Sequence, residues 1–423
     1  MSYCVIERKE CGELGEITGS LLVYGRRKTG KTWLVQHCTS YDEYVLVSRE
    51  GTCLIGGELR EKDLSDCLER ITNVVSNDGV VVVDEFQRIA RKNWMDAVAH
   101  KLATGKGKLI LLGSSYGVSD SIFSSNSPLL GLVEAYNVDL ADPLDTIASL
   151  VKCGMDHVGA VRWLGIARDP WILGLVKPSG DPVDMLYRRA KQLAPIAPGL
   201  IGEIFAEEGR SLARIYDAIL RLLAKGYWNT SQLAHRLYSS GLLERPAQTA
   251  VTGYIKNLEN MGLVRGIRLW RTRGARVYYR HRSTLLAILY YILDRVDELG
   301  QKPSRESLRS RYYMELQFDL AELLAIIKKL RPAYSITPDG WDVDILLLDN
   351  KGSPQCGYEV KTGPLSSSEI KKTIERLRGL GIPRVGLISL HETPTELKGV
   401  DEVLGPIELV KLSGKTGRTG NSS

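Results

Sequence analysis

Four short apolar runs stand out in the first half of the chain: Ser20–Tyr24, Tyr44–Ser48, Gly79–Val83 and Lys108–Leu112. Each is rich in Val, Leu or Ile, and helix-length segments separate them. Runs of this kind predict parallel strands of a sheet covered on both faces. The Pro- and Gly-bearing stretch 191–200 predicts the end of this region. Beyond it the period changes. Ile215–Ala224, Gln232–Tyr238 and Ala247–Met261 carry helical spacing; Asn229 stands at the cap position of the second and Gly262 just past the third. An alternating stretch with Gly274 at its turn then predicts a hairpin. From about 300 to 412 the order reads helix, strand pair, helix, strand. Residues 413–423 lack apolar content and are predicted to be disordered. The expected units are therefore 1–200, 201–296, 297–412 and a tail, 413–423. No internal repeat is visible at solenoid periods.

Composition changes this picture little. With 423 residues, 43% of them apolar and 25% charged, the chain has the balance of a soluble, multidomain globular protein. The longest apolar run, Leu285–Leu293, is about half of what a bilayer-spanning helix needs. The first ten residues lack the apolar core of a signal peptide, so a cytoplasmic protein without a membrane partner is expected. The seven cysteines are odd in number and widely spread, with no Cys-x-x-Cys pair. Zinc and disulfide frameworks are thus poor readings, and free thiols are expected. A net charge of +6 decides nothing; its distribution matters more.

The first chemical signal follows the first strand. Gly25-Arg26-Arg27-Lys28-Thr29-Gly30-Lys31-Thr32 fits G-x-x-x-x-G-K-[ST], between an apolar strand and a helical run. The glycines let successive N–H groups face an anion, and the helix N-terminus adds its dipole. Lys31 would reach the β- and γ-phosphates, and the Thr32 hydroxyl would bind Mg²⁺. The strand Gly79–Val83 ends in Asp84 and Glu85. Asp84 suits the Mg²⁺ shell, and Glu85 suits general-base work on an attacking water. The strand Lys108–Leu112 ends Gly113-Ser114-Ser115; Ser114 is a candidate γ-phosphate sensor, with a plain strand-ending turn as the alternative. No Asn-Lys-x-Asp guanine reader follows, so ATP is the expected nucleotide.

These segments together resemble the archaeal ATPase family, a branch of the STAND-type additional-strand P-loop NTPases. The resemblance rests on Arg8 and Glu13-Leu14, on Gly25-Arg26-Arg27, on Asp84-Glu85-Phe86-Gln87 and on Gly113-Ser114-Ser115. It extends over nearly the whole chain and is strongest over 6–140. The family's Pro-Leu-x-Gly-Arg box appears as Pro128-Leu-Leu-Gly131-Leu132, without the arginine. The resemblance then implies slow hydrolysis, or an arginine supplied in trans by a homo-oligomer.

The second block reads as a winged helix, in the order helix, helix, third helix, hairpin. Seven arginines fall within the eighteen residues 265–282, without an acid among them. Arg265, Arg268, Arg271, Arg273 and Arg276 would track phosphates on such a wing. On the third helix Gln248, Thr249, Thr252 and Lys256 would face a DNA groove. The alternatives are a protein-binding module and an intramolecular lid.

The third block places Asp342 and Asp344 on one strand, and Glu359-Val360-Lys361 on the returning one. Alternate residues share a face, so a hairpin can set Asp344 beside Glu359 with Lys361 near. Two acids and a lysine at a sheet end suit metal-dependent phosphodiester cleavage. The pattern resembles the PD-(D/E)xK nuclease superfamily, which the archaeal ATPases often carry at their C-terminus. That resemblance implies Mg²⁺ or Mn²⁺ on Asp344 and Glu359, with an upstream glutamate, Glu322 ahead of Glu315. The alternatives are an amphipathic hairpin with surface charges and an inactive relic that only binds.

The expected fold class is thus multidomain α/β: a P-loop parallel-sheet NTPase core, a winged helix and a restriction-endonuclease-like α/β domain. The expected function is ATP-dependent binding and cleavage of DNA; the alternative is a nucleotide-switched, non-cleaving regulator or scaffold.

Overall fold

The structure is a computed structural model, and it describes residues 4–56, 62–89, 92–113, 122–207, 213–271, 276–337, 340–363, 367–391 and 399–416. The chain opens with helix α1 (Glu10–Glu16) and strand β1 (Ser20–Tyr24), followed by α2 (Lys31–Cys38). Next come β2 (Glu43–Val47), β3 (Thr52–Ile55), β4 (Lys62–Asp63) and α3 (Leu64–Ser76). Then follow β5 (Val80–Asp84), α4 (Lys92–Thr104), β6 (Lys108–Gly113) and β7 (Val133–Asn137). These strands form one sheet in the order β4-β3-β2-β5-β6-β1-β7. β2, β5, β6, β1 and β7 run parallel; β3 and β4 are an antiparallel extension. Successive residues face opposite sides: Val81 and Val83 enter one buried cluster, Val82 the other. Burial on both faces is why these strands read as unbroken apolar runs. β6 lies between β1 and β5, so one strand separates the phosphate-loop strand from the acidic strand.

Five helices follow: α5 (Pro143–Lys152), α6 (His157–Ala167), α7 (Pro182–Arg188), α8 (Ala190–Leu193) and α9 (Ile196–Glu207). Asp142, Asp156 and Asp181 cap the first three through their side chains. A 3₁₀ turn, Pro170–Gly174, sits between α6 and α7. Helices α10 (Ala213–Ala224), α11 (Thr230–Ser239) and α12 (Gln248–Asn260) lead into the hairpin β8 (Val264–Arg268) and β9 (Val277–His281). Asn229 caps α11, as its position in the sequence suggested, by accepting from Gln232 N at 2.8 Å.

Helices α13 (Thr284–Leu299) and α14 (Arg305–Lys328) connect to a second sheet of β10 (Arg331–Ile336), β11 (Asp342–Leu348) and β12 (Pro354–Lys361). After α15 (Ser367–Gly379) come β13 (Arg384–Ser389), β14 (Glu402–Leu404) and α16 (Pro406–Thr416). β10, β11 and β12 pair antiparallel; β12, β13 and β14 pair parallel. The strand pair expected here is thus a meander of three. β10 escaped notice because Arg331-Pro332 at its start breaks the apolar pattern.

Three expectations change. The predicted tail begins inside α16: Ser413 is buried and its hydroxyl donates to Leu409 O at 2.9 Å, so 413–416 belong to a helix. The expected free thiols are paired as Cys4–Cys153, Cys11–Cys38 and Cys53–Cys67, leaving Cys356 free and buried. The partners lie 149, 27 and 14 residues apart, so no short Cys motif could reveal them. The three blocks also share part of their core, while the first sheet and one face of the second keep apolar clusters of their own. One apolar cluster joins Ile6, helices α5 to α14 and one face of the second sheet, through Ile345, Leu347 and Val360. Among the described residues no helix is long and apolar enough to cross a membrane.

Candidate nucleotide site and acidic cluster

The loop between β1 and α2 wraps a cavity of about 560 Å³. Its lining includes Arg27, Lys28, Thr29, Gly30, Lys31 and Thr32 from the loop, with Asp84 and Glu85 opposite. Val5, Ile6, Trp33, Trp171 and Leu173 supply the apolar part. The loop's shape needs its glycines for different reasons. Gly25 has φ +144°, and a Cβ there would sit 2.2 Å from Val138 O. Gly30 has φ +94° as the residue before α2, and a Cβ there would make only ordinary contacts, 3.8 Å from Pro170 Cγ and 3.9 Å from Arg8 Nη1. The first needs the absence of a side chain, the second a left-handed backbone.

Lys31 is buried and donates to Gly25 O and Arg26 O, both at 2.9 Å. Burial lowers its pKa to about 8, while Asp84 and Glu85 pull it back up. The Thr32 hydroxyl donates to Asp84 Oδ2 at 3.0 Å, and the Tyr44 hydroxyl donates to the same oxygen at 2.5 Å. Burial, then the Asp84 charge, pushes the Tyr44 phenol far up, so it stays a donor. Glu85 takes a left-handed φ of +58° and accepts from Gln87 Nε2 at 2.7 Å. Such a backbone costs about 1–3 kcal/mol and is held only where its surroundings fix it. Arg27 reaches Glu85 at 3.9 Å and Glu203 at 3.0 Å, tying the loop to α9.

Two residues of this site act in ways their motif did not disclose. Arg8 is buried and donates to Thr29 O at 2.7 Å and Asp139 O at 3.1 Å, clamping the loop to the end of β7. Arg26, part of the motif read as a phosphate-binding loop, turns away from the cavity and pairs with the fully buried Asp169. Tyr44 and the tryptophan of the 3₁₀ turn were missed as well, since neither belongs to a phosphate-loop signature. Ser114 lies outside the described residues.

The hairpin arginines divide sharply. Arg268, Arg271 and Arg276 are exposed, with Arg271 over the Trp270 ring at 4.3 Å; Arg273 lies outside the described residues. Arg265 does not stand free for phosphate: it pairs with Glu322. Burial, then the neighbouring Arg282, Arg280 and Arg168, lowers its pKa to about 10. Arg280 pairs with Glu315 at 2.8 Å, and Arg282 pairs with Asp139 at 2.8 Å and Glu322 at 2.7 Å. On α12, Gln248, Thr249, Thr252 and Lys256 are all exposed, while Val251, Ile255 and Leu258 are buried. The expected groove-facing residues thus share the outward face.

In the second sheet Asp344 accepts from Val360 N at 2.7 Å, and Lys361 Nζ donates to Glu359 at 2.7 Å. Burial, then the Glu359 charge, raises Asp344 to about 7. These three residues therefore meet. The upstream glutamate does not complete the group as expected. Glu322 is held by Arg168, Arg265 and Arg282, and Glu315 by Arg280 and Arg311. A carboxylate paired with two or three guanidiniums is already compensated and is not waiting for a cation. Among the described residues no group of three or more His, Cys, Asp or Glu could hold a metal ion.

No curated protein matches the chain. Solved structures overlap with it loosely. They include the Aeropyrum pernix ORC1 protein in complex with DNA, at 15% identity, covering 68% of this chain and 91% of that one with a TM-score of 0.33. The Aeropyrum pernix ORC2 protein in its ADPNP–ADP complexes overlaps at 14% identity, 76% and 96% coverage and a TM-score of 0.27. Its ADP form gives 15%, 75%, 96% and 0.26. Scores this low carry no argument about function. The family described as an AAA domain matches residues 18–138, the segment that holds the phosphate loop and Asp84-Glu85. Residues 18–138 are the P-loop NTPase core of this chain, similar to the AAA domain family.

Proposed function

We propose that this protein is an ATP-binding switch that holds DNA, the nucleotide state setting how the DNA is held. The observation that carries the reading is the 560 Å³ cavity, where a buried lysine, a glycine-shaped loop and the Thr32–Asp84 pair converge. A cavity of this size suits a nucleotide. The donor set fits Mg²⁺: Thr32 Oγ1 and Asp84 are hard oxygen ligands beside the loop. Bound there, Mg²⁺ would draw charge from the phosphate oxygens. Lys31 would leave its two carbonyls for the phosphates, and Glu85 is placed to take a proton from water. The absence of arginine at Leu132 agrees with a slow switch, or with an arginine donated by a second copy.

Helices α10 to α12 and the β8–β9 hairpin follow winged-helix order, and the exposed face of α12 would enter a groove. Arg268, Arg271 and Arg276 would follow the backbone. We favour holding over cutting because both upstream glutamates are committed to arginines. The test is calorimetry with Mg-ATP, and anisotropy with a labelled duplex at two salt concentrations. Lys31→Ala should abolish the ATP heat, and Lys256→Ala should weaken DNA binding and flatten its salt dependence. Full ATP heat in Lys31→Ala, or DNA binding indifferent to Lys256, would reject the reading.

A cleavage reading rests on the meeting of Asp344, Glu359 and Lys361 on the β11–β12 pair. The helix-strand-strand-strand-helix-strand order of α14 to β13 also agrees with a PD-(D/E)xK-like domain. Incubation of single-stranded, duplex and branched DNA with Mn²⁺ decides it: cutting by wild type and not by Asp344→Ala would establish it.

A further inference from the structure

Arg26 is the second residue of the phosphate loop, yet its guanidinium is buried on the far side of the loop from the nucleotide cavity. It lines a separate cavity of about 480 Å³, shared with Glu259–Gly262 at the C-terminal end of α12 and with Val264–Gly266 of β8. Its ion pair is with Asp169, whose side chain is 0% exposed. Asp169 also accepts from the Ser283 hydroxyl. Ser283 in turn caps α13, accepting from Leu286 N at 3.0 Å. Gly262, the residue that ends α12, packs against the Arg26 side chain, where a Cβ would lie 3.5 Å from Arg26 Cβ. A continuous chain of contacts thus runs from the phosphate loop through Asp169 to the junction of the hairpin and α13.

The same residue is tied to the nucleotide side by its main chain. Arg26 O accepts from Lys31 Nζ and from the Thr29 hydroxyl, both at 2.9 Å. The Lys31 ammonium has three donors and spends two on Gly25 O and Arg26 O; reaching both the β- and γ-phosphates would take two, so nucleotide binding would loosen its hold on these carbonyls. Arg26 Nε and Nη1 are buried and find no acceptor among the described residues. A buried cation with idle donors is held at a cost, so its arrangement is open to change. A ligand shifts an equilibrium only through contacts that differ between states, and the Lys31 contact is one. The Arg282–Asp139 pair joins the same two bodies, but it leaves from the end of β7, not from the phosphate loop.

We infer that Arg26 is a positioning residue that reports phosphate occupancy, through Asp169 and Ser283, to the hairpin and α13. This rests on the reading that the loop binds ATP and that α12 and the hairpin hold DNA. Coupling of this kind is typically worth about 5–150-fold in affinity, and it is reciprocal.

The experiment measures duplex affinity by anisotropy with and without a non-hydrolysable ATP analogue and Mg²⁺, and analogue affinity by calorimetry with and without duplex. Wild type should show a coupling factor of about tenfold in both directions. Ser283→Ala should bring that factor close to one while each ligand alone binds within about threefold of wild type. Ser283→Thr, which keeps the hydroxyl cap, should restore it. Asp169→Asn should also uncouple; a misfolded Asp169→Asn leaves the decision to the two Ser283 variants. A wild-type factor near one with both ligands bound overturns the inference, as does a factor unchanged in Ser283→Ala. Failure of wild type to bind the analogue or the duplex at all would instead sink the functional reading beneath it.

Discussion

Raising the pH should weaken nucleotide binding in a window set by Lys31. Its ammonium is buried, and burial brings its pKa down to about 8 in the free protein. A triphosphate beside it favours the charged form, so the complex keeps a proton that the free protein loses above pH 8. Affinity is therefore flat below pH 8 and falls above it. Once Lys31 is mostly neutral, each further pH unit costs at most about 1.4 kcal/mol, or tenfold in Kd. Between pH 8 and 9 a loss of roughly fivefold is expected, since half the lysine is already neutral at its own pKa. Calorimetry in two buffers of different ionisation enthalpy should show proton uptake on binding at pH 9 and much less at pH 7. A Kd constant from pH 7 to 9.5, or equal proton uptake at pH 7 and pH 9, would refute the assignment of this proton to Lys31.

Other variants test the packing around the two sites. Gly25→Ala should destabilise the ligand-free protein by about 3 kcal/mol or more, and Gly30→Ala by about 1–2, because only the first forces a Cβ into a backbone carbonyl. Denaturant melts giving equal losses would contradict this. Glu322→Gln should cost about 3–5 kcal/mol by leaving Arg168, Arg265 and Arg282 short of an acid. Full stability in that variant, together with altered Mn²⁺ binding, would return Glu322 to the metal. Asp344 is raised from the ordinary carboxyl value to about 7, so its burden on the fold appears as pH rises from 4 to 7 and is full above 7. Asp344→Asn should therefore stabilise the protein by a few kcal/mol at pH 8 and far less at pH 5; an equal effect at both would show that the carboxyl is not the source.

The phosphate loop was legible because its chemistry is local. Gly25, Gly30, Lys31 and Thr32 lie within one turn of backbone, and the apolar strand before them and the helix after them are local patterns too. Asp84 and Glu85 were legible at the end of a strand buried on both faces. The α12 face was legible for the same reason, since helical spacing separates Val251, Ile255 and Leu258 from Gln248, Thr252 and Lys256. Arginine count misled where it counted charge without partners. Arg265 and Arg282 sit in the basic stretch beside Arg268 and Arg271, yet their acids, Asp139 and Glu322, lie far away in the chain.

Sequence by itself determined the NTPase core, its phosphate loop, the helix-rich middle and the paired acids of the C-terminal hairpin. Each follows from side-chain period or backbone freedom over a few residues. Only the tertiary structure decided which charges are free and which are spent. It turned Arg26 away from the nucleotide, gave Glu322 to three arginines, paired six cysteines and joined parts of the three blocks in one apolar cluster. Those outcomes depend on groups up to about 150 residues apart meeting in a medium where an unpaired charge is costly, and no local pattern records such meetings.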